Sequence, residues 1–544
     1  MITALMTIFN QERLLFNPVS PNSDAIPVIF AFPNEYSVGI TSLGYQIIWA
    51  SFASYPEISV SRLFTDIQEP LPRNPELLGF SFSWELDYVN ILNILELLDI
   101  PLQSDQRDNN HPLVFGGGPV LTANSEPFAA FFDIILLGDG ENLIKDFIRA
   151  YQEVRNANRG AKLRHLATVA GVYIPSLYEV TYHSVDGEIK SIIPLDNTIP
   201  SFIEKQTYRS NILSASTVVT EKAAWESIYM VEVVRSCPEM CRFCLASYLT
   251  LPFRTASLES SLIPAIEKGL TVTNRIGLLG ASVTQHPEFE SLLDYLSQPK
   301  YDHIRVSIAS VRTNTVSEKL AKTLANRGTK SITIAVESGS EKVRKIINKK
   351  LTNDEIIQAA INAKAGGLKG IKLYGMAGIP GEEDTDIEET ILMLDAVKKA
   401  APGLKITFGC STFVPKSHTP FQWLGVNKTA KKQLQYLEKQ LGKKNIEFRP
   451  ESYNWSVIQA LISRGDRRLS QLLELTRHYG DSLGSYKRAF KELKGKLPPL
   501  EFYVHDNWKT EQILPWHHLK GPLPQATLIK HLEEAMTVPL DLLC

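Results

Sequence analysis

Three of the five cysteines in this chain lie within eight residues of one another, in the segment Cys237-Pro-Glu-Met-Cys241-Arg-Phe-Cys244. Three residues separate the first pair and two separate the second pair. Thiolates at this spacing can bind three corners of a cubane iron–sulfur cluster and leave the fourth iron without a protein ligand. Such an iron is open to another molecule, so the loop is a candidate for chemistry.

Two other interpretations of these cysteines stay open. One is a structural zinc site, although the loop contains no histidine that could supply the fourth ligand. The other is a set of three inert buried thiols. The preceding segment Val231-Glu-Val-Val234 is typical of the end of a β-strand, and a buried strand would hold the loop rigidly. This context favours the cluster.

The elements around the loop are predicted to form a barrel. From about residue 227 to 423, short apolar runs alternate with helical stretches, which is typical of repeated β/α units with a parallel sheet. The predicted strands are residues 229–234, 276–279, 304–308, 331–336, 370–374 and 406–408, and the predicted helices include 317–326 and 353–365. In such barrels, reactive groups lie where the carboxyl ends of the strands meet the following loops.

The front of the chain predicts a different α/β domain. Apolar runs at residues 26–32, 78–83, 113–115 and 134–137 alternate with helical stretches, as in a doubly wound sheet. Gly116-Gly-Gly118 and Gly138-Asp-Gly-Glu141 follow two of these runs and let the backbone pack closely against a ligand. We therefore expect this domain over residues 1–200, the barrel over 201–427 and a mainly α-helical region over 428–544.

Length and composition set limits on the function. A chain of 544 residues needs more than one core, and its net charge of -2 gives no general attraction to nucleic acid. No apolar run is long enough to span a bilayer and the first residues lack a signal peptide, which predicts a cytoplasmic protein. The two remaining cysteines, Cys410 and Cys544, are too few to hold a second three-cysteine cluster.

The cysteine spacing, with Phe243 before the last cysteine, resembles the signature of the radical S-adenosylmethionine (radical SAM) superfamily. The resemblance implies that Cys237, Cys241 and Cys244 bind a 4Fe-4S cluster whose free iron binds SAM. It also implies reductive cleavage of SAM to methionine and a 5′-deoxyadenosyl radical. The electron would come from a reductase, flavodoxin or ferredoxin-type donor.

The same resemblance implies that the loops after the barrel strands bind SAM. The residues concerned are Gly280, Ser282, Ser310, Arg312, Glu337, Gly378 and Pro380. Arg312 could bind the methionine carboxylate, and Glu337 could accept hydrogen bonds from the ribose or the amino group. Gly378 could let the backbone approach the adenine closely. Taken singly, each residue is also typical of a turn, a solvated charge or a structural ion pair.

The front domain resembles the cobalamin-binding domain that precedes the barrel in one class of radical SAM enzymes. The similarity to that domain runs from Phe115 through Glu126 to Glu141. Together with further blocks such as 413–423 and 464–468, nearly the whole chain resembles a largely uncharacterised family of radical SAM proteins. Many cobalamin domains carry Asp-x-His-x-x-Gly, but Tyr36 stands here at the position of the histidine, and tyrosine cannot replace imidazole as the lower cobalt ligand. Cobalamin would bind without that ligand, or the domain has kept only the fold.

These features predict a radical SAM enzyme that functionalises an unactivated carbon, with methyl transfer through a corrinoid as one route. Modification of RNA is an alternative, because residues 428–449 contain seven Lys or Arg against two Glu, although such a run is also typical of a solvated helix face. A non-catalytic iron–sulfur sensor or scaffold is another. Lys416, His418 and Trp423 could line the mouth of the barrel or belong to an ordinary loop and the core.

Overall fold

The first domain is built on a mostly parallel six-stranded sheet. The computed structural model describes residues 8–538 of the chain. Numbered along the chain, the parallel strands lie in the order 2-1-3-4-5, and a sixth, antiparallel strand closes the far edge. The strands are Ile26–Ala31, Ile58–Leu63, Leu77–Ser81, Leu113–Gly117, Ile134–Leu136 and Val172–Tyr173. This is the flavodoxin-like doubly wound order, in which ligands bind at the carboxyl ends of the strands near the switch point between strands 1 and 3.

Helices connect these strands, so the predicted doubly wound architecture is confirmed. They are Tyr36–Gly39, Leu43–Ala53, Tyr88–Leu97, Pro119–Ala123, Gly140–Val154 and Arg159–Leu166. The second of them begins where the Ser42 hydroxyl accepts a hydrogen bond from the Tyr45 N–H, which satisfies one of the free donors at a helix start. A hairpin of Tyr178–Tyr182 and Ile189–Pro194 follows the sheet.

The second part of the chain is the predicted partial barrel. Its parallel strands are Ile228–Glu232, Arg275–Leu279, Arg305–Ile308, Ser331–Glu337, Gly370–Ala377, Lys405–Thr412 and Glu447–Pro450. They form a sheet of three and a sheet of four, joined by a parallel bridge between Val311 and Ile334. The helices are Leu245–Tyr248, Ile263–Leu270, Phe289–Leu296, Glu318–Asn326, Glu341–Ile346, Asn353–Ala365, Asp384–Ala400 and Ala430–Lys443.

Local sequence explains the bounds of one of these helices. Asn353–Ala365 begins with a capping box, in which the Thr352 hydroxyl accepts from the Glu355 N–H and the Glu355 carboxylate accepts from the Thr352 N–H. The last barrel strand was not predicted. Glu447–Pro450 pairs with Lys405–Thr412, so a segment that the sequence assigns to the C-terminal region adds an edge strand to the barrel sheet.

The C-terminal region is mainly helical and packs on the first domain. Its helices are Tyr453–Arg464, Leu469–His478, Leu483–Glu492, Leu500–Val504 and Gln525–Met536. Their apolar side chains share one hydrophobic core with the first sheet, whereas the barrel has a core of its own. Asn124 of the first domain donates hydrogen bonds to the carbonyls of Ser463 and Gly465, at 3.1 and 2.8 Å. The first and last thirds of the chain therefore fold together.

The remaining strands are short pairs at the edges: Arg13–Leu14, Ile203–Glu204, Val218–Val219, Val234–Arg235, Arg254–Thr255 and Leu519–Lys520. Within residues 8–538, no helix has the length and apolar character needed to cross a membrane. Cys544 lies outside the described residues.

Candidate active site

The cysteine loop follows the first barrel strand, Ile228–Glu232. Ser236, directly before the loop, has a φ of +73°, and this left-handed turn redirects the chain into the loop. The Cys237 N–H donates to the Ala246 carbonyl at 3.1 Å, and the Cys244 N–H donates to the Cys241 carbonyl at 2.9 Å. These bonds close the loop on itself and fix the positions from which the three side chains project.

The loop is also attached to the segment that follows helix Glu341–Ile346. The Asn348 side-chain amide donates to the Met240 carbonyl at 2.8 Å, and the Cys241 Sγ lies 3.9 Å from the Asn348 carbonyl oxygen. Met240 and Asn348 both have a positive φ, of 56° each. Two uncommon backbone conformations are therefore kept where the loop meets the barrel, as often happens at functional sites.

All three cysteines line one cavity of about 440 Å³ at the carboxyl ends of the barrel strands, which we call the cysteine cavity. Its wall also contains Glu239, Ser282, Ser310, Arg312, Glu337, Lys349 and Tyr374. The structure thus brings four of the seven predicted SAM-binding residues together with the thiols, although binding by these four stays a prediction.

The thiols suit a cluster better than a single ion. Within residues 8–538, no three His, Cys, Asp or Glu side chains converge on a point that could hold one metal ion. A cubane makes a different demand, because each thiolate binds a different iron and the sulfurs therefore surround a volume. Burial raises the pKa of Cys241 to about 12 and also raises that of Cys244. Bound iron would supply the positive charge that keeps such buried thiolates ionised.

Arg312 forms an ion pair with the cysteine loop itself. Its guanidinium lies 2.9 Å from the carboxylate of Glu239, between the first two cysteines, and also donates to the Lys350 carbonyl at 3.0 Å. Both side chains of the pair are nearly buried. Arg312 therefore faces the cavity with its charge partly neutralised, and the remaining donors of its fork are those that could bind a ligand carboxylate.

Glu337 is paired with a lysine that the sequence did not indicate. The Lys349 ammonium lies 3.1 Å from the Glu337 carboxylate, and both side chains are nearly buried. Burial lowers the pKa of Lys349, and the neighbouring Glu337 carboxylate raises it. The net result is a raised pKa. Glu337 has a φ of +66°, which strains a residue with a side chain and turns its carboxylate into the cavity wall at the end of strand Ser331–Glu337.

The other three predicted residues lie elsewhere. A Cβ on Gly280, whose φ is +149°, would lie 2.5 Å from the Val234 carbonyl oxygen, so this glycine permits close packing of two barrel loops. A Cβ on Gly378 would lie 2.6 Å from the Ala430 Cβ. Neither Gly378 nor Pro380 lines the cysteine cavity. Their contact with an adenine ring stays a prediction, and the observed role of Gly378 is in packing.

Sequence reasoning missed Glu239, Lys349 and Tyr374. Glu239 could have been singled out, because it lies between two cysteines. Tyr374 lies on strand Gly370–Ala377 inside the barrel yet is 48% exposed, so its ring faces the open cavity. The Lys349 pairing had no sequence signal, because it depends on how the chain folds back after helix Glu341–Ile346.

A second cavity, of about 350 Å³, lies beside the first domain and is called the first-domain cavity. Its apolar wall includes Phe30, Gly44, Ile48, Gly117 and Leu136, from the carboxyl half of the sheet and the adjoining helices. Its opposite wall belongs to the barrel and contains Glu232, Arg235 and Gly280. Because Arg235 lies two residues before Cys237, and Gly280 directly precedes Ala281 of the cysteine cavity, the two cavities are neighbours.

Tyr36, at the position of the cobalt-binding histidine, is not available to a ligand. It is 2% exposed, and its hydroxyl donates to the Glu12 carboxylate at 2.6 Å. Burial and that carboxylate raise the pKa of Tyr36 well above its usual value. The structure therefore agrees with the expectation that any corrinoid bound here would lack a protein ligand from this position.

Three residues predicted at the barrel mouth line neither cavity. Trp423 is 1% exposed and belongs to the core. Lys416 pairs with Glu85 and donates to the Ser463 hydroxyl at 2.9 Å. His418 is buried, its Nε2 has no hydrogen-bond partner in the described part of the chain, and burial lowers its pKa to about 4. These residues join the barrel to its neighbours.

The basic segment 428–449 contains helix Ala430–Lys443 and the strand Glu447–Pro450. Three of its cations are already paired: Lys428 with Glu501, Lys444 with Asp395, and Arg449 with Glu447. This arrangement is that of a solvated helix face with surface ion pairs. It gives no specific support to an RNA site.

Comparison with known families decides the classification. A family described as "Radical SAM proteins, N-terminal" matches residues 59–175, and one described as "Radical SAM superfamily" matches residues 231–394. Together the matches span just over half of the chain. The chain belongs to the radical SAM superfamily. The resemblance seen in the cysteine motif is thus confirmed, the protein is an enzyme, and use of an iron–sulfur cluster and SAM follows from its family.

Individual relatives are more distant. The uncharacterized protein MJ0966 of Methanocaldococcus jannaschii is 28% identical over 467 residues, which cover 85% of this chain and 94% of the relative. The uncharacterized methyltransferase PH0819 of Pyrococcus horikoshii is 24% identical over 300 residues, 52% of this chain and 58% of that protein. Among solved structures, the radical SAM methyltransferase TsrM from Kitasatospora setae, with cobalamin and a 4Fe-4S cluster bound, superposes with a TM-score of 0.49 at 12% identity, over 73% of this chain and 77% of TsrM.

Proposed function

We propose that this radical SAM enzyme cleaves SAM reductively at a 4Fe-4S cluster and modifies an unactivated carbon. The observation that carries the proposal is the cysteine cavity, in which three thiols meet Ser282, Ser310, Arg312 and Glu337 at the carboxyl ends of the barrel strands. When bound, the cluster and SAM would supply an electron and a 5′-deoxyadenosyl radical.

The residues of the cavity then have separate tasks. The thiolates of Cys237, Cys241 and Cys244 hold the cluster. Arg312 offers the donors of its guanidinium to the methionine carboxylate, and Glu337 accepts hydrogen bonds from the ribose or the amino group. Because the two ion pairs that fix Arg312 and Glu337 exist before any ligand arrives, little reorganisation is needed on binding.

The substrate side of the cavity is formed by the barrel interior. Thr333, Ala335 and Tyr374 lie on neighbouring strands and complete the wall below the SAM-binding loops. A substrate carbon has to reach this wall, with water excluded, for a reactive radical to meet it selectively. We propose a small molecule or a nucleotide of RNA as this substrate, and a flavodoxin- or ferredoxin-type protein as the electron donor.

Methyl transfer through a corrinoid is the finer form of the proposal. The first-domain cavity has an apolar wall on the side of the first domain, lies at the carboxyl ends of the doubly wound strands and adjoins the cysteine cavity, so a group carried there would be next to SAM. The PH0819 relative, which is called a methyltransferase, agrees with this reaction class. Phe30, Ile48 and Leu136 would contact the apolar part of the ligand.

The test replaces the three cysteines by alanine, with Cys410→Ala as the matched control, because Cys410 is buried outside the cysteine cavity. After anaerobic reconstitution, the wild type and the control should bind about four irons per chain and form deoxyadenosine with dithionite and SAM. The triple variant should lose both properties. Deoxyadenosine formation by the triple variant would contradict the proposal.

The same preparation separates the enzyme from an iron–sulfur scaffold, since a scaffold would bind iron without any turnover of SAM. Cobalt retained after gel filtration with added cobalamin would support the corrinoid route. Phe30→Ala enlarges the first-domain cavity and Gly44→Leu fills it, so either variant should reduce the amount of cobalt retained after gel filtration. If neither variant does so, the corrinoid does not bind in this cavity.

A further inference from the structure

The cysteine loop is tied to the first domain by a cluster of buried charges. Arg235 lies on the two-residue strand Val234–Arg235, directly before the loop. Its guanidinium donates to Glu232 of the barrel and to Glu141 of the first domain, in both cases at 2.7 Å, and it lies 3.4 Å from Asp139. These side chains are all less than one-fifth exposed.

The strand that pairs with Arg235 makes the same connection. Arg235 is in register with Arg254, and the Arg254 guanidinium binds Asp139 at 2.5 Å. Two arginines of one β-ladder thus hold the first-domain loop 138–141. The cluster contains three carboxylates and two guanidinium groups, so its charges are nearly balanced. Removing one member leaves the others poorly compensated, because they are shielded from water.

This cluster also forms the boundary between the two cavities. Asp139, Glu141, Glu232 and Arg235 all line the first-domain cavity. Arg235 and Cys237 are separated by one residue, so their Cα atoms are at most about 7 Å apart. Arg235 therefore connects the first-domain loop directly to the segment that leads into the cysteine loop.

We infer that Arg235 is a positioning residue that couples the first domain to the cluster held by the cysteine loop. Its charge raises the reduction potential of the cluster, and its carboxylate partners set how much of that charge the cluster experiences. The inference rests on the proposed function, because it requires a cluster in the cysteine cavity.

The expected size follows from the position of the charge. With an effective dielectric of about 20, loss of one unit charge about 10 Å from the cluster changes the reduction equilibrium roughly tenfold. Arg235→Gln should therefore lower the midpoint potential by about 59 mV, the one-electron equivalent of a tenfold change. Arg235→Lys retains the charge and should stay close to the wild type. Glu141→Gln removes a negative charge and should raise the potential.

The opposite signs distinguish coupling from a merely structural role. Loss of a structural contact would lower iron content and thermal stability in both Arg235→Gln and Glu141→Gln, without shifting their potentials in opposite directions. Arg275→Gln is the matched control, because Arg275 pairs with Glu226 at 3.9 Å at the other end of a barrel strand and is partly exposed.

The experiment is a redox titration of the reconstituted full-length proteins, followed by electron paramagnetic resonance. Opposite shifts in the two variants, recovery in Arg235→Lys and no shift in the control would support the inference. Equal potentials in all the proteins, with a reducible cluster present, would overturn it and leave the proposed function intact. A wild type that binds no reducible cluster would overturn both.

Discussion

Replacing Lys349 by methionine tests whether the charged wall of the cysteine cavity is as shielded from water as its geometry indicates. The Lys349 ammonium lies 3.1 Å from the Glu337 carboxylate, and the two side chains are only 13% and 10% exposed. Methionine has a similar length and an apolar stem but no charge. The variant therefore leaves Glu337 as a buried carboxylate without its cation.

The expected loss of stability is about 3 kcal/mol at pH 7. Coulomb's law gives an attraction of about 5 kcal/mol at 3.1 Å with an effective dielectric of about 20. Removal of one partner from a buried pair typically costs about 3–5 kcal/mol, and the residual exposure of both side chains favours the lower end. For a domain of this size, each kcal/mol lowers Tm by about 2–4 °C, so the barrel should melt about 6–12 °C lower.

The loss should depend on pH with a definite sign. An unpaired buried carboxyl favours its neutral form, so the folded variant binds a proton more tightly than the unfolded chain does. Stability is then lost as the pH rises above the ordinary glutamate pKa of about 4.3, and it is recovered in full only below that pKa, where both states are protonated. Differential scanning calorimetry at pH 7 and pH 5 measures the difference.

Two further variants make the measurement decisive. Lys399→Met is the matched control, because Lys399 pairs with Asp395 at 2.8 Å but is 77% exposed, and such pairs contribute at most about 1 kcal/mol. The double variant with Glu337→Gln should recover most of the loss, because neither member of this pair then carries a charge. If Lys349→Met melts within the range of the control at both pH values, the argument from burial is refuted.

Three further predictions concern single positions. Burial raises the pKa of Glu382 from 4.5 to about 8. The protein should therefore lose stability as the pH rises from about 4.5 to 8, by up to about 1.4 kcal/mol per pH unit. Glu382→Gln should remove that slope in denaturation curves taken between pH 5 and pH 9. Gly280→Ala should lower the iron content after reconstitution, because its Cβ would lie 2.5 Å from the Val234 carbonyl oxygen, three residues before Cys237; a wild-type iron content would contradict this. Cys410→Ala should keep the wild-type iron content and lower the Tm by only a few degrees, and loss of iron would place Cys410 among the ligands.

The ligand loop could be found from sequence because its chemistry is local. Cys237, Cys241 and Cys244 are close in the chain, so their spacing alone indicates a cluster. Arg312 and Glu337 could be found because polar residues after barrel strands meet at one end of the barrel. For residues of this kind, order along the chain fixes their proximity.

Elements stabilised by distant partners could not be found in this way. The strand Ile58–Leu63 was missed because Arg62 interrupts its apolar pattern, yet the Arg62 side chain is buried by ion pairs with Glu12 and Glu69, at 2.8 and 2.7 Å. The edge strand Glu447–Pro450 has charged residues and a proline, which are uncommon in central strands but tolerated at a sheet edge. In both cases the tertiary contact decides the structure.

Glycines gave the least specific signal. Gly378 follows a barrel strand, as a ligand-binding glycine would, but the space that it leaves is filled by Ala430 of a later helix. Gly280 likewise leaves room for the Val234 backbone. A sequence shows that backbone must approach closely at such a position, but it does not show what approaches.

The first-domain cavity is enclosed by two parts of the chain and not by one domain. Its wall is contributed by the carboxyl ends of two sheets, with Gly117 and Leu136 from the first domain and Glu232 and Gly280 from the barrel. Neither sheet alone encloses the cavity, so a ligand bound there is shielded from water only when both domains are in contact. Arg235, two residues before Cys237, contributes to this contact through Glu141, and Arg254 adds an ion pair with Asp139. A ligand that enters by separation of these two walls would therefore have to break ion pairs that lie next to the cysteine loop.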